Sequence, residues 1–284
     1  MSRLAVFSVV PWAFATVRDW AAREGHEIAI LVTLSANNGA SAPGGGVCTM
    51  AGPDTVVMVV PRVETCEEAV RALHVDLGIV FTFRRVPEAV AALPRHGTVN
   101  LHPSLLPAYR GMNGLRSLFE GEPRLGATLH HLTPDFDAGP ILAQVSEPTP
   151  EDPQPATALE TLKGVAAAAL DAGVPRALAG ERGEDQDGSA ASSAPSFTEE
   201  DSVLDLGVTA HLFQCRFSAL SIDGRQPRVT LEGTQQPLRA VRRLPGLSAS
   251  GPGVVKTASR RALVATADEV LELELGELPF GVIG

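Results

Sequence analysis

Short apolar runs alternate with stretches of helical spacing along the first third of the chain. Helices are predicted over Trp12–Arg23 and Cys66–Leu73, and Gly25 is typical of a helix end. Alternation of this kind predicts a parallel α/β sheet with right-handed crossovers. Sheets of that type bind ligands beyond the carboxyl ends of their strands. The runs predicted to be buried strands are Leu4–Val10, Ile28–Thr33, Thr55–Val60 and Leu77–Phe83.

The turn after the first strand excludes the commonest ligand of such a sheet. Its sequence is Val9-Val10-Pro11-Trp12 rather than GxGxxG. Without those glycines the backbone cannot approach a pyrophosphate closely. A nicotinamide or flavin dinucleotide is therefore not expected.

The composition of the chain and the spacing of its apolar residues change in the second half. An alanine-rich helix is predicted over Ala156–Ala179, and Gly183–Ser196 has the composition of a linker. A further helix is predicted over Phe197–Leu220. Five short alternating runs follow from Arg228 onward, which is typical of a small β-barrel or sheet. We therefore expect one α/β domain over residues 1–183, and a linker, a connecting helix and a small β module over residues 184–284.

Two polar side chains mark the end of a further strand. In Thr98-Val-Asn100-Leu-His102, alternation puts Asn100 and His102 on one face. Pro103 keeps His102 extended and ends the strand. A ligand-binding pair and an ordinary strand end with a turn Asn and a solvated His are both compatible with this pattern.

A second polar group lies in Thr128-Leu-His130-His131 and the acidic loop that follows. Thr128 and His130 share one strand face, and Asp135 and Asp137 lie in the loop. A loop carboxylate beside a strand-end histidine orients the imidazole and raises its pKa. The alternative is that both acids are ordinary turn residues.

Cysteine and charge content narrow the remaining classes. Three cysteines, few and far apart, predict no disulfide framework, and the histidines show no metal-ligand spacing, so no metal is expected. No apolar run has the length of a membrane span or of a secretory signal, so a cytoplasmic protein without a membrane partner is expected. The net charge of −10 disfavours a large nucleic-acid footprint.

Three short motifs, in this order along the chain, resemble those of a known family. They are Asn100-Leu-His102-Pro-Ser-Leu-Leu-Pro, Gly126-Ala-Thr-Leu-His130 and Asp137-Ala-Gly139-Pro-Ile, with a seven-residue step from His130 to Asp137. Together they resemble the formyltransferases that use 10-formyltetrahydrofolate, among them methionyl-tRNA formyltransferase and sugar N-formyltransferases. The resemblance implies a Rossmann-like catalytic domain followed by a small OB-like β-barrel module.

The resemblance also implies a reaction and its residues. A formyl group would pass from 10-formyltetrahydrofolate to an amine through a tetrahedral intermediate, without a metal. Asn100 and a protonated His102 would donate hydrogen bonds to the developing oxyanion, and Asp137 would assist proton transfer. For the folate, the resemblance implies backbone groups of a loop after the fourth strand, and two polar residues near Asp137. These folate candidates are Arg85, Val86, Pro87, Asp135 and His130.

The acceptor is the least constrained part of this interpretation. From Phe197 to the end there are nine Lys and Arg against eleven Asp and Glu, and before it fourteen against twenty-two. Because a tRNA-binding module is normally basic, tRNA is judged unlikely and a small-molecule amine is expected. The alternative is a hydrolase on the same fold, with water in place of the amine, acting on an N-formyl metabolite or on formyl-folate. A catalytically silent binding module is disfavoured by the complete Asn100, His102 and Asp137 set. The oligomeric state is not predicted.

Overall fold

A seven-stranded sheet organises the amino-terminal part of the protein. The computed structural model describes residues 1–35, 45–247, 251–258 and 260–277. The strands lie in the order β3-β2-β1-β4-β5-β6-β7. They are β1 (Arg3–Phe7), β2 (Glu27–Leu34), β3 (Val56–Val60), β4 (Leu77–Phe81), β5 (Thr98–His102), β6 (Arg124–His131) and β7 (Ile141–Pro148).

Helices lie between these strands and after them along the chain. The first ends at Gly25, whose φ of 72° is the left-handed cap that glycine adopts without strain. Two short 3₁₀ segments lie at Val63–Cys66 and Gly188–Ala190. The helices are α1 (Pro11–Glu24), α2 (Gly45–Cys48), α3 (Glu67–Ala72), α4 (Glu88–Ala91), α5 (Arg116–Phe119), α6 (Pro155–Leu178) and α7 (Ala210–Ile222).

Apolar layers cover both faces of the sheet, which explains why its central strands are apolar along their whole length. Leu4, Leu77 and Leu101 pack with α1 and α6 on one face, whereas Phe7 and Val80 pack in the cluster on the other. Strands β1 to β5 pair in parallel, as the alternation predicts. The β5–β6 pair is antiparallel and breaks this pattern. The parallel-sheet α/β class is confirmed.

A second sheet follows in the carboxyl-terminal part, in the order β11-β12-β13-β10-β9-β8. This β-rich sheet confirms the second element of the predicted fold class. Its strands β8 and β9 are parallel, and the pairs that join the other strands are antiparallel. The strands are β8 (Val203–Leu204), β9 (Arg228–Leu231), β10 (Thr234–Leu244), β11 (Gly253–Ala258), β12 (Arg261–Ala265) and β13 (Val270–Leu275).

The helix expected over Phe197–Leu220 is wrong in its first half. The helix begins only at Ala210, where the Thr209 hydroxyl accepts a hydrogen bond from the Leu212 N–H. Such a cap defines a helix start more firmly than apolar spacing does. The residues before it include Val203–Leu204, which pair in the second sheet instead.

The chain divides into two compact units. The first contains residues 1–114, 125–147 and 162–194, and the second contains residues 115–124, 148–161 and 195–284. Each unit is thus built from several chain segments, and the two-domain division at residues 183 and 184 stays a prediction. Among the described helices, none has both the length and the apolarity to cross a membrane.

Candidate active site

Asn100 and His130 are direct neighbours across the β5–β6 pair. Their positions are in register in this antiparallel ladder, so their side chains stand side by side on one face of the sheet. The Asn100 amide nitrogen lies 3.1 Å from His130 Nε2. His102, two positions along β5, projects from the same strand face. The expected pairing of Asn100 with His102 at a strand end is therefore present in the fold.

Asp137 reaches this face from the loop between β6 and β7. Its Oδ1 accepts a hydrogen bond from Asn100 at 2.9 Å, and its Oδ2 accepts one from the Gly111 N–H at 2.7 Å. The backbone of Asp137 has a φ of 49°, a conformation that costs energy for any residue with a side chain. Gly139 lies so close to β6 that a Cβ there would stand 1.8 Å from the His131 carbonyl oxygen. The Asp-Ala-Gly motif thus provides the carboxylate of Asp137 and also the small residue that the close approach of the backbone to β6 requires at position 139.

The His102 imidazole is buried and held at both ring nitrogens. Nε2 lies 2.7 Å from the Tyr109 carbonyl oxygen, so Nε2 carries a proton and donates it. Nδ1 faces Asp137 Oδ2 at 3.5 Å. Burial lowers the pKa of His102, although Asp137 and the Tyr109 carbonyl oppose this effect. Burial thus favours the neutral ring, and the expectation of a protonated His102 stays a prediction.

The two N–H groups of Asn100 are both engaged. One donates to Asp137 and the other lies against His130 Nε2. The orientation of the amide follows from the carboxylate, which accepts hydrogen bonds and repels the amide oxygen. His130 Nδ1 lies 2.9 Å from the His131 carbonyl and donates to it, which leaves Nε2 as the acceptor. Donation from Asn100 to a bound oxyanion therefore requires that one of these two contacts be released.

The carboxyl group of Asp137 is ionised in this setting. Burial raises the pKa of Asp137, but the imidazoles of His130 and His102 and the N–H of Gly111 outweigh burial. The net result is a pKa below the ordinary value. A carboxylate that faces a neutral imidazole can stabilise that ring once it takes up a proton.

The remaining folate candidates lie in two loops beyond the strand ends. The Arg85 guanidinium donates to the Pro134 carbonyl at 2.8 Å and lies over the Phe136 ring, so Arg85 ties the loop after β4 to the loop after β6. Val86 is buried in the core, with 3% of the residue exposed. Pro87 precedes α4, and Asp135 is exposed.

The backbone after β4 is neither helix nor strand over residues 83–87. Backbone groups outside helices and strands can bind the edge of a pterin ring, and the Arg85 guanidinium contacts the Asp137 loop at the Pro134 carbonyl. The residues present therefore fit a folate. Their assignment to it stays a prediction.

Three groups of this site have no signal in the sequence pattern. The Tyr109 carbonyl and the Gly111 N–H come from the loop after β5, and Gln186 comes from the segment with linker composition. The Gln186 amide donates to the carbonyls of Asp137 and Gly139. Backbone groups are invisible to a search for residue types, and Gln186 stands among Gly, Ser and Asp residues that indicate no role.

A formyl transferase family model matches residues 18–167, which is more than half of the chain. The chain belongs to the formyltransferase family. This confirms the resemblance that was inferred from the three motifs around Asn100, His130 and Asp137. It also confirms that the chain is an enzyme of formyl transfer, and that formyl-tetrahydrofolate is the donor at the level of the family.

Relatives of this chain divide by acceptor. The chain is 31% identical over 219 residues to the methionyl-tRNA formyltransferase of Chloroflexus aurantiacus, covering 75% of this chain and 70% of that one. It is 43% identical over 86 residues to that of Acidothermus cellulolyticus, covering 30% of this chain and only 26% of the relative. The N-formyltransferase of Helicobacter canadensis, solved with folinic acid and dTDP-3-aminofucose, superposes with a TM-score of 0.67 at 13% identity, covering 97% and 99% of the two chains. At that identity the superposition supports the fold alone.

These relatives contradict two expectations, that tRNA is an unlikely partner and that the acceptor is a small-molecule amine. The curated formyltransferases at about 30% identity act on methionyl-tRNA. Both expectations rested on net charge summed over long stretches of chain. Such a sum is a poor guide because recognition depends on the local field at the contact surface.

Proposed function

We propose that this formyltransferase transfers the formyl group of formyl-tetrahydrofolate to the α-amine of methionyl-tRNA. The observation that carries the acceptor is the 31% identity over 219 residues to a methionyl-tRNA formyltransferase. The contacts of Asn100 and buried His102 with Asp137 support the transfer chemistry. None of the relatives described above is named as a hydrolase, which disfavours water as the acceptor.

Asn100 stabilises the charge that develops on the formyl oxygen. One of its N–H groups must first leave its present acceptor. The contact to His130 is longer, at 3.1 Å, and its acceptor is uncharged, whereas the contact to Asp137 is 2.9 Å and charge-assisted. We therefore expect the N–H that now points at His130 to turn to the substrate.

His102 receives the proton that the attacking amine loses, and Asp137 stabilises the charge that this creates. The amine nitrogen forms its bond to the formyl carbon and gives its proton to the unprotonated Nδ1 of His102. The ionised Asp137, 3.5 Å away, stabilises the imidazolium that results. The same proton is then available to the departing folate nitrogen, so no covalent enzyme adduct is required. Formyl-tetrahydrofolate supplies the formyl carbon.

An acceptor assay tests this proposal. The protein is incubated with 10-formyltetrahydrofolate and either methionyl-tRNA, a nucleotide-linked amino sugar, or no acceptor. Formylmethionine released from the tRNA by mild base is the expected product, together with stoichiometric tetrahydrofolate.

Two outcomes contradict the proposal. Formylation of the amino sugar with no formylmethionine would assign a different acceptor. Release of formate at the same rate in the arm without acceptor would identify a hydrolase. The same assay applies to the variant Asp137→Asn, which removes the carboxylate of the site. Its matched control is Asp19→Asn, which makes the same chemical change at an exposed carboxylate of α1 that bonds Arg18.

A further inference from the structure

The segment 184–194 is bound to the loops that carry the site. Its Glu184 pairs with Ile141 at the start of β7 through two backbone hydrogen bonds of 2.7 and 2.8 Å. At its other end, the segment is bound to the loop after β5. The Arg110 N–H donates to the Ser192 carbonyl, and the Ala194 N–H donates to the Arg110 carbonyl. The segment therefore connects the loop that contains Asp137 with the loop after β5, whose Tyr109 carbonyl contacts His102.

One side chain in this segment contacts both loops. The Gln186 amide nitrogen donates to the carbonyls of Asp137 at 2.8 Å and Gly139 at 2.7 Å. Its amide oxygen accepts two hydrogen bonds from the Arg110 guanidinium, at 3.1 and 2.7 Å. Because a guanidinium only donates, it determines which end of the amide faces the carbonyls. All four hydrogen-bonding contacts have consistent polarity.

The two loops joined in this way hold the reacting groups. Asp137 and Gly139 belong to the loop whose carboxylate bonds Asn100. Arg110 stands between Tyr109, whose carbonyl holds His102, and Gly111, whose N–H holds the Asp137 carboxylate. The left-handed φ of Asp137 has an intrinsic cost, so this backbone persists only where its surroundings hold it.

We propose that Gln186 is a positioning residue for formyl transfer, which acts by fixing the Asp137 carboxylate against Asn100, His102 and Gly111. This inference rests on the proposed role of Asp137. It assigns a function to a segment whose composition indicates only a linker. Catalytic groups held out of place by about 1 Å lose roughly a hundredfold in rate, which sets the scale of the expected effect.

Two variants separate the parts of the contact. Gln186→Ala removes all four hydrogen bonds. Gln186→Glu keeps the side-chain volume and the acceptor for Arg110, and replaces the donor to the two carbonyls by an oxygen that repels them. In both we expect kcat to fall by about tenfold to a hundredfold, with the KM for formyl-tetrahydrofolate within about twofold of wild type.

A second readout follows the position of Asp137 without any substrate. The Gly111 N–H, bonded to Asp137 Oδ2 at 2.7 Å, is expected to exchange with solvent about tenfold faster in both variants. The Ala194 N–H, bonded to the Arg110 carbonyl, reports general loosening of the segment. This measurement by amide NMR still tests the inference if methionyl-tRNA proves not to be the acceptor.

The matched control is Gln226→Ala. Gln226 also donates from its amide to two backbone carbonyls, those of Pro227 and Leu238, which belong to no part of the site. We expect wild-type kcat from it. A wild-type kcat with unchanged Gly111 exchange in Gln186→Glu would overturn the proposal, as would equal acceleration of Gly111 and Ala194 exchange. Gln186→Glu keeps the proposal testable even if Gln186→Ala fails to fold.

Discussion

Polar side chains are buried at the end of β5, whereas those in the strands of the carboxyl-terminal sheet are at least partly exposed. At the end of β5, His102 and His130 are almost fully buried, and Asn100 and Asp137 lie between them. In the second sheet the interior side chains, such as Leu271 and Leu273, are apolar and the charges are paired at the surface. Burying polar groups is costly unless each finds a partner. In the first region hydrogen bonds offset that cost, and it is where the chemistry is proposed.

The sharpest way to break this comparison is Asp137→Asn. Asn tolerates the left-handed backbone, so the fold is expected to persist while the charge is lost. We expect kcat/KM for formyl transfer to fall by about a hundredfold to a thousandfold, the scale for one electrostatic group in a site. Steady-state rates and a thermal melt measure the two effects.

The same chemical change in the second sheet is the comparison. Glu269→Gln removes a carboxylate that pairs with Arg243 at the surface. We expect no change in the rate of formyl transfer. If Asp137→Asn retained more than half of the wild-type rate, the buried network would have no catalytic role.

Backbone crowding gives the next largest effect. Gly139→Ala places a Cβ 1.8 Å from the His131 carbonyl, so the loop must move and the free energy of unfolding is expected to fall by about 1–3 kcal/mol. Gly164→Ala, in α6 with open space around the added atom, is expected to raise it by about 0.5–1 kcal/mol. Urea unfolding of both variants measures the difference. Equal effects from the two would show that the loop is not constrained at Gly139.

The buried imidazole makes stability depend on pH. The pKa of His102 in the folded state is lowered by burial from its ordinary value of 6.5, so the unfolded chain binds its proton first as the pH falls. The contribution of neutral His102 to stability is therefore present above pH 6.5 and is lost as the pH falls from there towards the lower pKa of the folded state.

Unfolding free energies at pH 7.5 and pH 5.5 test this. His102→Gln is expected to reduce the loss between the two values. His26, whose pKa burial also lowers, contributes separately, and His26→Asn measures its share. If His102→Gln left the loss unchanged, the ring would be protonated in the folded protein.

The smallest effect is expected from the surface pair Arg243 and Glu269. Its members are each about a quarter exposed. Their coupling energy, from a double-mutant cycle with Arg243→Ala and Glu269→Gln, is expected to be about 0.2–1 kcal/mol and to shrink at high salt. A coupling of several kcal/mol would remove the contrast between the two regions.

Local patterns were sufficient for most elements. The alternation of apolar runs predicted β1 to β4, and Gly25 marked the end of α1. Short alternating runs were predicted from Arg228 onward, and the strands Arg228–Leu231 and Val270–Leu275 are among those found there. Period-two and helical spacing report which face of an element is buried, and this is a property of neighbouring residues.

The start of α7 and the direction of β6 were beyond those patterns. Apolar spacing continues ahead of Ala210, and only the Thr209 cap and the pairing of Val203–Leu204 with β9 decide where the helix begins. The antiparallel course of β6 depends on how the chain returns to the sheet, which no local spacing records.

Residue order along the chain was enough to show which residue types the site contains and in which motifs they lie. Their protonation and hydrogen bonding became visible only in the folded protein. Burial lowers the pKa of His102, the contacts of Asn100 occupy both of its N–H groups, and Gln186 comes from a segment distant in sequence. The physical reason is that protonation and hydrogen-bond direction depend on solvent exclusion and on every polar neighbour in space. Composition and spacing along the chain contain neither.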